Sequence, residues 1–514
     1  MSAAGPYLVG VDCSTTAAKA AVFTPAGECV ALGKAALELS LPHPGWHEQD
    51  PRQWWTAVKQ ALAAALTEVD SSAVAAIAVS HQRESFACLG ADGTPLRPAP
   101  LWLDARAGEQ VRMHGTDRVH EVSGKPPDIT PGLYKLLWLR EHEPAAIDGA
   151  ARVCDVGAYL IHQLTGRWAT SWGSADPLGM LDMRSFEYAS ELLGLVGLAE
   201  RQLPELLPPG SVAGQVREAL AGELGLRGAV PVVATVGDGQ AAGLGADVLE
   251  QGDAYLNMGT AIASGTYSAD YRYAGAFRTL AGPLAGSYTL ETLLSSGTYL
   301  VDWFVRRFAD EPSGVPPEQL QQAAAALRPG ADGLVTLPYW NCAQTPYWDP
   351  SASGAVVGWR GVHGQAHFYR SLLESVAFEL RLQAKALHAQ RGVPIARYFA
   401  MGGGSRSALW MQMVADVTGA EVSVCKETET TALGAAIQAA AAVGAHGGTG
   451  ADALRASAKE MAAFSHTVEP GSDAAAYAPL FEIYEGLYGQ LKDSFARLSR
   501  VSAEHLSSTT EEAN

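Results

Sequence analysis

An α/β fold built from two similar lobes is what this sequence predicts, on three observations. Strand-like apolar runs alternate with helix-length segments along the chain. Two turns of small, hydroxylated residues, each set between apolar runs, lie about half a chain apart: residues 8–23 read LVGVDCSTTAAKAAVF and residues 254–267 read AYLNMGTAIASGTY. At 514 residues the chain is long enough for more than one domain and a large buried core. Each turn has the signature of a β-hairpin, with small residues where the chain must bend. Backbone N–H groups and hydroxyls in such a turn point outward and suit phosphate oxygens, so two lobes gripping one polyphosphate are expected.

The chain opens with strands at 7–13, 18–23 and 28–39, the last two separated by the turn Thr24-Pro25-Ala26-Gly27. A helix is expected over 51–69, where Asp50 can cap the first turn and Pro51 takes the first helical position. A buried strand follows at 74–80, then helices near 134–141 and 157–165. The Pro- and Gly-rich stretch 203–214 reads as a surface connection. Residues 230–236 read as a fully buried strand, and Gly237-Asp238-Gly239 starts a small-residue helix through 249. The domain boundary falls near residue 250, giving an N-terminal domain over 1–250 and a C-terminal domain over 251–505. Beyond it come the second hairpin, a long helix over 363–391, a strand at 397–401, a glycine turn at 402–404, a helix at 408–418 and a strand at 421–425. Helices near 432–443 and 475–498 close the chain, and the polar residues 506–514 read as a frayed tail.

With 48% hydrophobic and 18% charged residues the composition is that of an ordinary globular protein. A formal net charge of −18 argues against nucleic acid or an anionic membrane as partner. It does not argue against a nucleotide, because local cations and a divalent metal can outweigh the overall field. The six cysteines, Cys13, Cys29, Cys88, Cys154, Cys342 and Cys425, are scattered without a C-x-x-C pair. Neither a zinc nor a redox site is indicated, and a reducing, cytoplasmic setting fits. The first strand begins within a few residues of Met1, which leaves no room for a signal peptide, and the Gly/Ala-rich stretch 432–445 is too short to span a bilayer.

Asp12 stands where the first strand ends, before Ser14, Thr15 and Thr16. A carboxylate beside phosphate-binding hydroxyls repels phosphate unless a cation lies between them, which makes Asp12 a candidate Mg²⁺ ligand through water. Lys19, on the return strand, can add positive charge to the same phosphates. Such Asp-x-Ser/Thr turns also occur simply because these side chains satisfy their own backbone. Gly259 and Thr260 in the second turn carry the same two readings. Asp238 is the residue placed for catalysis: it follows a buried strand, between glycines that let a substrate approach. A general base needs hydrogen-bond reach to a hydroxyl in a water-poor site. A helix N-cap Asp has the same local signature. A dinucleotide-binding loop does not, since Gly237-x-Gly239-x-x-x-Gly243 misses the G-x-G-x-x-G spacing by one. Gly402, Gly403 and Gly404, followed by Ser407, would let a flat base lie against the backbone, or would form a plain strand–helix turn. Arg83 and Glu84 can clamp a polyol, Arg donating to oxygens and Glu accepting from hydroxyls, or can form a surface ion pair. Trp102, near Asp104 and Arg106, offers an apolar face to a sugar's C–H groups or is a core aromatic.

Taken together, in order and over nearly the whole chain, these segments resemble the FGGY carbohydrate kinases. VDCSTTAAKAAVF is similar to that family's first phosphate motif, GDGQAAGLG (237–245) to its catalytic-Asp motif and LNMGTAIAS to its second phosphate motif. GWHEQDPRQWW (45–55) and LYKLLWLREHEP (133–144) also look like family segments. Residues 354–380 follow the C-terminal signature except for Trp359, where an aliphatic residue is usual, and 401–424 with 431–436 are similar to the adenosine region.

The resemblance implies two duplicated domains of the actin and hexokinase (ribonuclease H-like) fold with an interdomain cleft, and ATP with Mg²⁺ as cofactors. It implies Asp238 as base, Asp12 as the metal-associated carboxylate, and Ser14, Thr15, Thr16, Lys19, Gly259 and Thr260 as phosphate contacts. Gly403 and Ser407 match the nucleotide pocket, and Arg83 and Glu84 match the pair against the sugar or polyol. Glycerol kinases also carry Arg-Glu there, but this chain has Gly239 where they have Gln and Thr130 where they have Tyr. Xylulose kinases resemble the adenosine motif closely but use Met-His at the pair, and Trp348 is similar to gluconate kinases. The expected reaction is phosphorylation of a small sugar or polyol, a ketopentose such as xylulose ahead of glycerol, gluconate or another polyol. A homodimer is implied by the resemblance alone. Two other readings stand beside it. A non-catalytic sugar sensor would not need Asp12, Asp238 and both Thr turns, and a sugar-independent ATPase would leave Arg83-Glu84 unexplained.

Overall fold

The computed structural model describes residues 6–309, 311–314 and 316–511, with side chains through residue 501. Two mixed sheets organise it. The first runs, in spatial order, Ser211–Gln215, Pro231–Ala234, Val74–His81, Tyr7–Cys13, Ala17–Phe23 and Cys29–Ala36. The second runs Arg278–Ala281, Tyr288–Leu294, Ile262–Ser268, Asp253–Met258, Arg397–Met401, Glu421–Cys425 and Phe464–Val468. The same pairing recurs in both. Tyr7–Cys13 pairs antiparallel with its hairpin partner and parallel with Val74–His81. Asp253–Met258 likewise pairs antiparallel with Ile262–Ser268 and parallel with Arg397–Met401. Each lobe is thus an α/β domain whose hairpin leads into parallel strands.

The central strands are mostly apolar because helices cover both faces. Leu8, Val9 and Val11 are fully buried. The helix Pro51–Leu66 lies on one face, with the Asp50 side chain accepting from the Arg52 N–H and Pro51 opening the first turn. Its backbone comes so close that a Cβ on Gly33 would stand 2.0 Å from the Ala61 carbonyl oxygen. The other face is covered by Thr430–Ala442, a helix delivered by the second half of the chain. A Cβ on Gly10 would stand 1.9 Å from the Ala432 oxygen. That helix also packs against Asp238–Gly245, where a Cβ on Gly434 would stand 1.8 Å from the Ala241 oxygen. The lobes are therefore joined through a pair of small-residue helices, one from each half. Among the described residues no helix is long and apolar enough to cross a membrane.

Several expectations need correction, among them the helix opened by Asp238, which ends at Gly245 rather than 249. The stretch 203–214 is more than a surface connection: it contains the strands Glu205–Leu207 and Ser211–Gln215. The latter is the edge of the first sheet. Only Ala213 in it is buried, so the apolar alternation that marks a strand is faint. The third strand ends at Ala36 rather than 39. The last helix runs from Ala474 to Glu511, past residue 506 where the sequence suggests a frayed tail; residues 512–514 lie outside the described residues. All six cysteines are free thiols.

Candidate active site

In the first sheet the three adjacent parallel strands end at one edge, and the chemistry-bearing residues sit just beyond those ends. Asp12 closes the first strand, in register with Ser80 on one side and Lys19 on the other. Arg83 and Glu84 follow the end of Val74–His81, and Asp238 follows Pro231–Ala234. Buried hydroxyls pin the ends together: Ser80 Oγ donates to the Val236 carbonyl at 3.0 Å and Thr235 Oγ1 to that of Val79 at 2.6 Å. The carboxyl edge of parallel strands is where α/β folds bind ligands.

Asp238 opens the helix Asp238–Gly245, with Gly237 as N-cap. Its Oδ1 accepts the Gly239 N–H at 2.8 Å and lies 2.9 Å from Arg83 Nε. Its Oδ2 has no hydrogen-bond partner among the described residues, and the side chain is 38% exposed. The flanking glycines have a reason the sequence did not show. A Cβ on Gly237 would stand 2.3 Å from Arg83 Cγ, and one on Gly239 would stand 2.9 Å from Arg83 Nη2. They make room for the arginine.

Arg83 and Glu84 are not a surface ion pair. They are only 8% and 5% exposed, and both are held by the second lobe. Arg83 Nη1 donates to both oxygens of Glu291, at 2.9 and 3.1 Å. Glu84, whose backbone is left-handed at φ +60°, accepts from Arg278 Nη1. Arg278 Nε donates to Glu291 Oε2 at 2.6 Å, and the Tyr255 hydroxyl donates to Glu291 Oε1. Burial alone would raise the Glu291 carboxyl, but Arg278 and Arg83 outweigh it and hold it down to about 2. Together these residues form a buried network of charged and polar groups between the lobes.

The first turn is tightly folded. Ser14 N–H and Oγ both donate to the Ala17 carbonyl, at 3.0 and 2.8 Å. The Thr15 hydroxyl is already engaged, accepting from Trp102 Nε1 at 2.9 Å and donating to Gln82 Oε1 at 3.3 Å. Trp102 is therefore half-buried and tied to the turn. Thr16 and Thr260, at the tips of the two hairpins, are exposed, and neither hydroxyl has a partner among the described residues. Lys19 Nζ pairs with Glu429 Oε2 at 2.6 Å, across to the start of the helix Thr430–Ala442. The Gly259 carbonyl accepts from the Thr298 N–H and Oγ1, both at 2.9 Å, fixing the second turn to the helix Thr298–Phe308.

Gly402 has φ +84°, and a Cβ on it would stand 2.9 Å from the Met258 carbonyl oxygen. The glycine turn thus presses on the second hairpin as only glycine can. Gly404 is buried beside it, whereas Gly403 is exposed. Ser407 caps the helix Ala408–Thr418 by accepting from the Trp410 N–H. Its hydroxyl hydrogen has no acceptor among the described residues and is left to donate.

Asp12 is a buried carboxylate short of partners. It is 8% exposed, and its Oδ1 is buried without a hydrogen-bond partner. Burial and Asp238 push its pKa up from 3.8 to about 7; Lys19 pulls the other way and Glu429 adds to the rise. Lys19 offsets the burial and like-charge cost only in part. Among the described residues no group of three or more His, Cys, Asp or Glu side chains could hold a metal by themselves. One carboxylate completed by water and phosphate oxygens is how Mg²⁺ is usually held, so the residues present fit that ion.

The sequence reading missed Glu291, Arg278, Glu429, Gln82 and Tyr255. The signal for the first two was there. Arg278 and Glu291 are charges inside otherwise apolar strands, RTLA and YTLETLL, and a charge buried in a strand requires a partner.

Comparison with known proteins agrees with this geometry. The N-terminal domain of the FGGY family of carbohydrate kinases matches residues 7–245, and its C-terminal domain matches 254–443. A xylulose kinase from Bacillus subtilis is 28% identical over 95% of this chain and 97% of its own length. A glycerol kinase from Symbiobacterium thermophilum is 30% identical over 85% of this chain and 90% of its own length. The crystal structure of a ligand-bound xylulose kinase from Lactobacillus acidophilus has the same fold, with a TM-score of 0.90 at 24% identity, covering 96% of this chain and 100% of that one.

Proposed function

We propose, since this chain belongs to the FGGY family of carbohydrate kinases and is thereby a phosphotransferase, that it moves the γ-phosphoryl group of ATP to a hydroxyl of a small sugar or polyol. The observation that carries the reading is Asp238: one oxygen bonded by the Gly239 N–H and ion-paired with Arg83 Nε, the other open, at the strand edge that also bears Asp12. In this reading the substrate hydroxyl gives its proton to Asp238 Oδ2 as its oxygen bonds to the γ-phosphorus. The bond to the bridging oxygen breaks, and ADP leaves with that oxygen's electron pair.

Catalysis of this kind is mostly positioning and charge stabilisation. The exposed Thr16 and Thr260 hydroxyls and the turn N–H groups would hold the β- and γ-phosphates, and Lys19 would exchange Glu429 for phosphate oxygen. Mg²⁺, held through Asp12, would neutralise charge on the phosphates. The exposed Gly403 would take the adenosine, and Trp102 would flank the sugar. The lobes are divided near residue 250, the first carrying the base and the sugar side and the second the nucleotide side.

A ketopentose such as xylulose leads the substrate panel because the relative matched over 95% of this chain is a xylulose kinase. Glycerol follows, from the relative that is 30% identical. A coupled ADP-release assay with xylulose, glycerol and gluconate tests the reading. Saturable, sugar-dependent ADP supports it; ADP without sugar, or sugar binding without turnover across the panel, refutes it. Asp238→Ala is expected to keep ATP binding and lose about two orders of magnitude in turnover. Turnover at the wild-type level would remove Asp238 from the role of base.

A further inference from the structure

We infer that Glu291, a residue of the second lobe, is a positioning residue for Asp238: by holding Arg83 Nη1 it keeps Arg83 on one Asp238 oxygen and leaves Oδ2 open for the substrate hydroxyl. The inference rests on the kinase reading above. A guanidinium beside a lone carboxylate takes the two-pronged pair that covers both oxygens, because its fork matches a carboxylate in spacing. Such a pair would occupy the oxygen that must receive the proton. Here Glu291 holds Nη1, which fixes how the guanidinium lies against Asp238. Nη1 donates to both Glu291 oxygens and approaches Gln240 Oε1 at 3.5 Å, and the closest approach to Asp238 is Nε to Oδ1 at 2.9 Å. The Gly239 N–H takes the same Oδ1.

Glu291 is built to do this. It is wholly buried, and each oxygen has a donor besides Arg83: Tyr255 on Oε1 and Arg278 on Oε2. The Tyr255 ring reaches it through space left by two glycines. A Cβ on Gly243 would stand 2.6 Å from the ring, and one on Gly265 would stand 2.5 Å from it. Glu291, Tyr255 and Arg278 lie on the second sheet, whereas Arg83 and Asp238 lie at the edge of the first. The base is therefore aligned only while the lobes are in contact at this end.

Glu291→Gln tests the inference, keeping the shape and removing the charge. Turnover should fall about a hundredfold, as for a reacting group displaced by about 1 Å, with little change in the KM for ATP. In an Asp238→Ala background the same substitution should leave the residual turnover unchanged, because Glu291 acts only through that carboxylate. A further tenfold loss there, or wild-type turnover in the single variant, overturns the assignment. Tyr255→Phe removes one hydroxyl from Glu291 and serves as the second variant should Glu291→Gln not fold. It should show a smaller loss with the same non-additivity, and equal losses in both backgrounds overturn the inference. Failure of the kinase reading itself would appear separately, as a wild-type protein without sugar-dependent turnover. A crystal structure of the folded variant then decides the positioning claim alone. Arg83 should turn to cover both Asp238 oxygens, and an unmoved Arg83 overturns it.

Discussion

Replacing Asp12 with Asn should make the free protein more stable above neutral pH while destroying its use of metal. Asp12 is 8% exposed, has an unpartnered oxygen, and faces Asp238 and Glu429 with only Lys19 to offset them. Its pKa rises from 3.8 to about 7, led by burial. At about 1.4 kcal/mol for each tenfold change in proton affinity, the ionised carboxylate costs the fold about 4 kcal/mol. The sign follows from the direction of the shift. Where the folded-state pKa lies above the unfolded one, stability is full below the unfolded value, near pH 4, and is lost as pH rises through about 7. Asn removes that loss. At about 2–4 °C per kcal/mol for a lobe of this size, the variant should melt about 10 °C above wild type at pH 8, with the gap closing below about pH 4. Melting followed by circular dichroism from pH 4 to 8, without magnesium or nucleotide, measures it. Adding magnesium and ADP should stabilise wild type and leave the variant where it was. A variant that melts at or below wild type at pH 8, or a gap that widens toward acid, refutes the view of Asp12 as a charge awaiting a cation.

Lys19→Met removes the cation paired with Glu429 at 2.6 Å and should raise the KM for ATP about tenfold, the worth of one charge-assisted hydrogen bond of about 1.5 kcal/mol. An unchanged KM in steady-state kinetics would take Lys19 off the phosphates. Gly434→Ala places a Cβ 1.8 Å from the Ala241 carbonyl, a backbone atom that cannot swing aside. It should cost about 1–3 kcal/mol by forcing the paired helices apart, read as a lower urea midpoint, and wild-type stability would refute so close a contact.

Much of this architecture was legible because it is local. The strands Arg397–Met401 and Glu421–Cys425 and the helix Ala408–Thr418 fall where their unbroken apolar patterns place them. The edge strand Ser211–Gln215 escaped, since one buried residue makes no pattern. Asp12, Lys19 and Asp238 could be singled out because each sits at a strand–turn junction whose chemistry shows in three or four adjacent letters. What could not be read was which charges share a partner. Arg83 and Glu291 are 208 positions apart, Glu84 and Arg278 are 194 apart, and Lys19 and Glu429 are 410 apart. Read alone, Arg83 is a donor for a sugar oxygen; in the fold, Glu291 and Asp238 divide it between them.

These cross-lobe pairs also differ in how readily each can be broken. Arg83–Glu291 and Arg278–Glu84 are buried to within 9% on every side chain, and separating them would strand four charges out of water. Breaking a buried pair costs about 3–5 kcal/mol, against at most about 1 for an exposed one. Lys19 and Glu429, 26% and 17% exposed, lie between these limits and have water at hand to replace each other. In the kinase reading, Lys19 would therefore leave Glu429 for a phosphate oxygen while the buried pairs beside Asp238 stay in place.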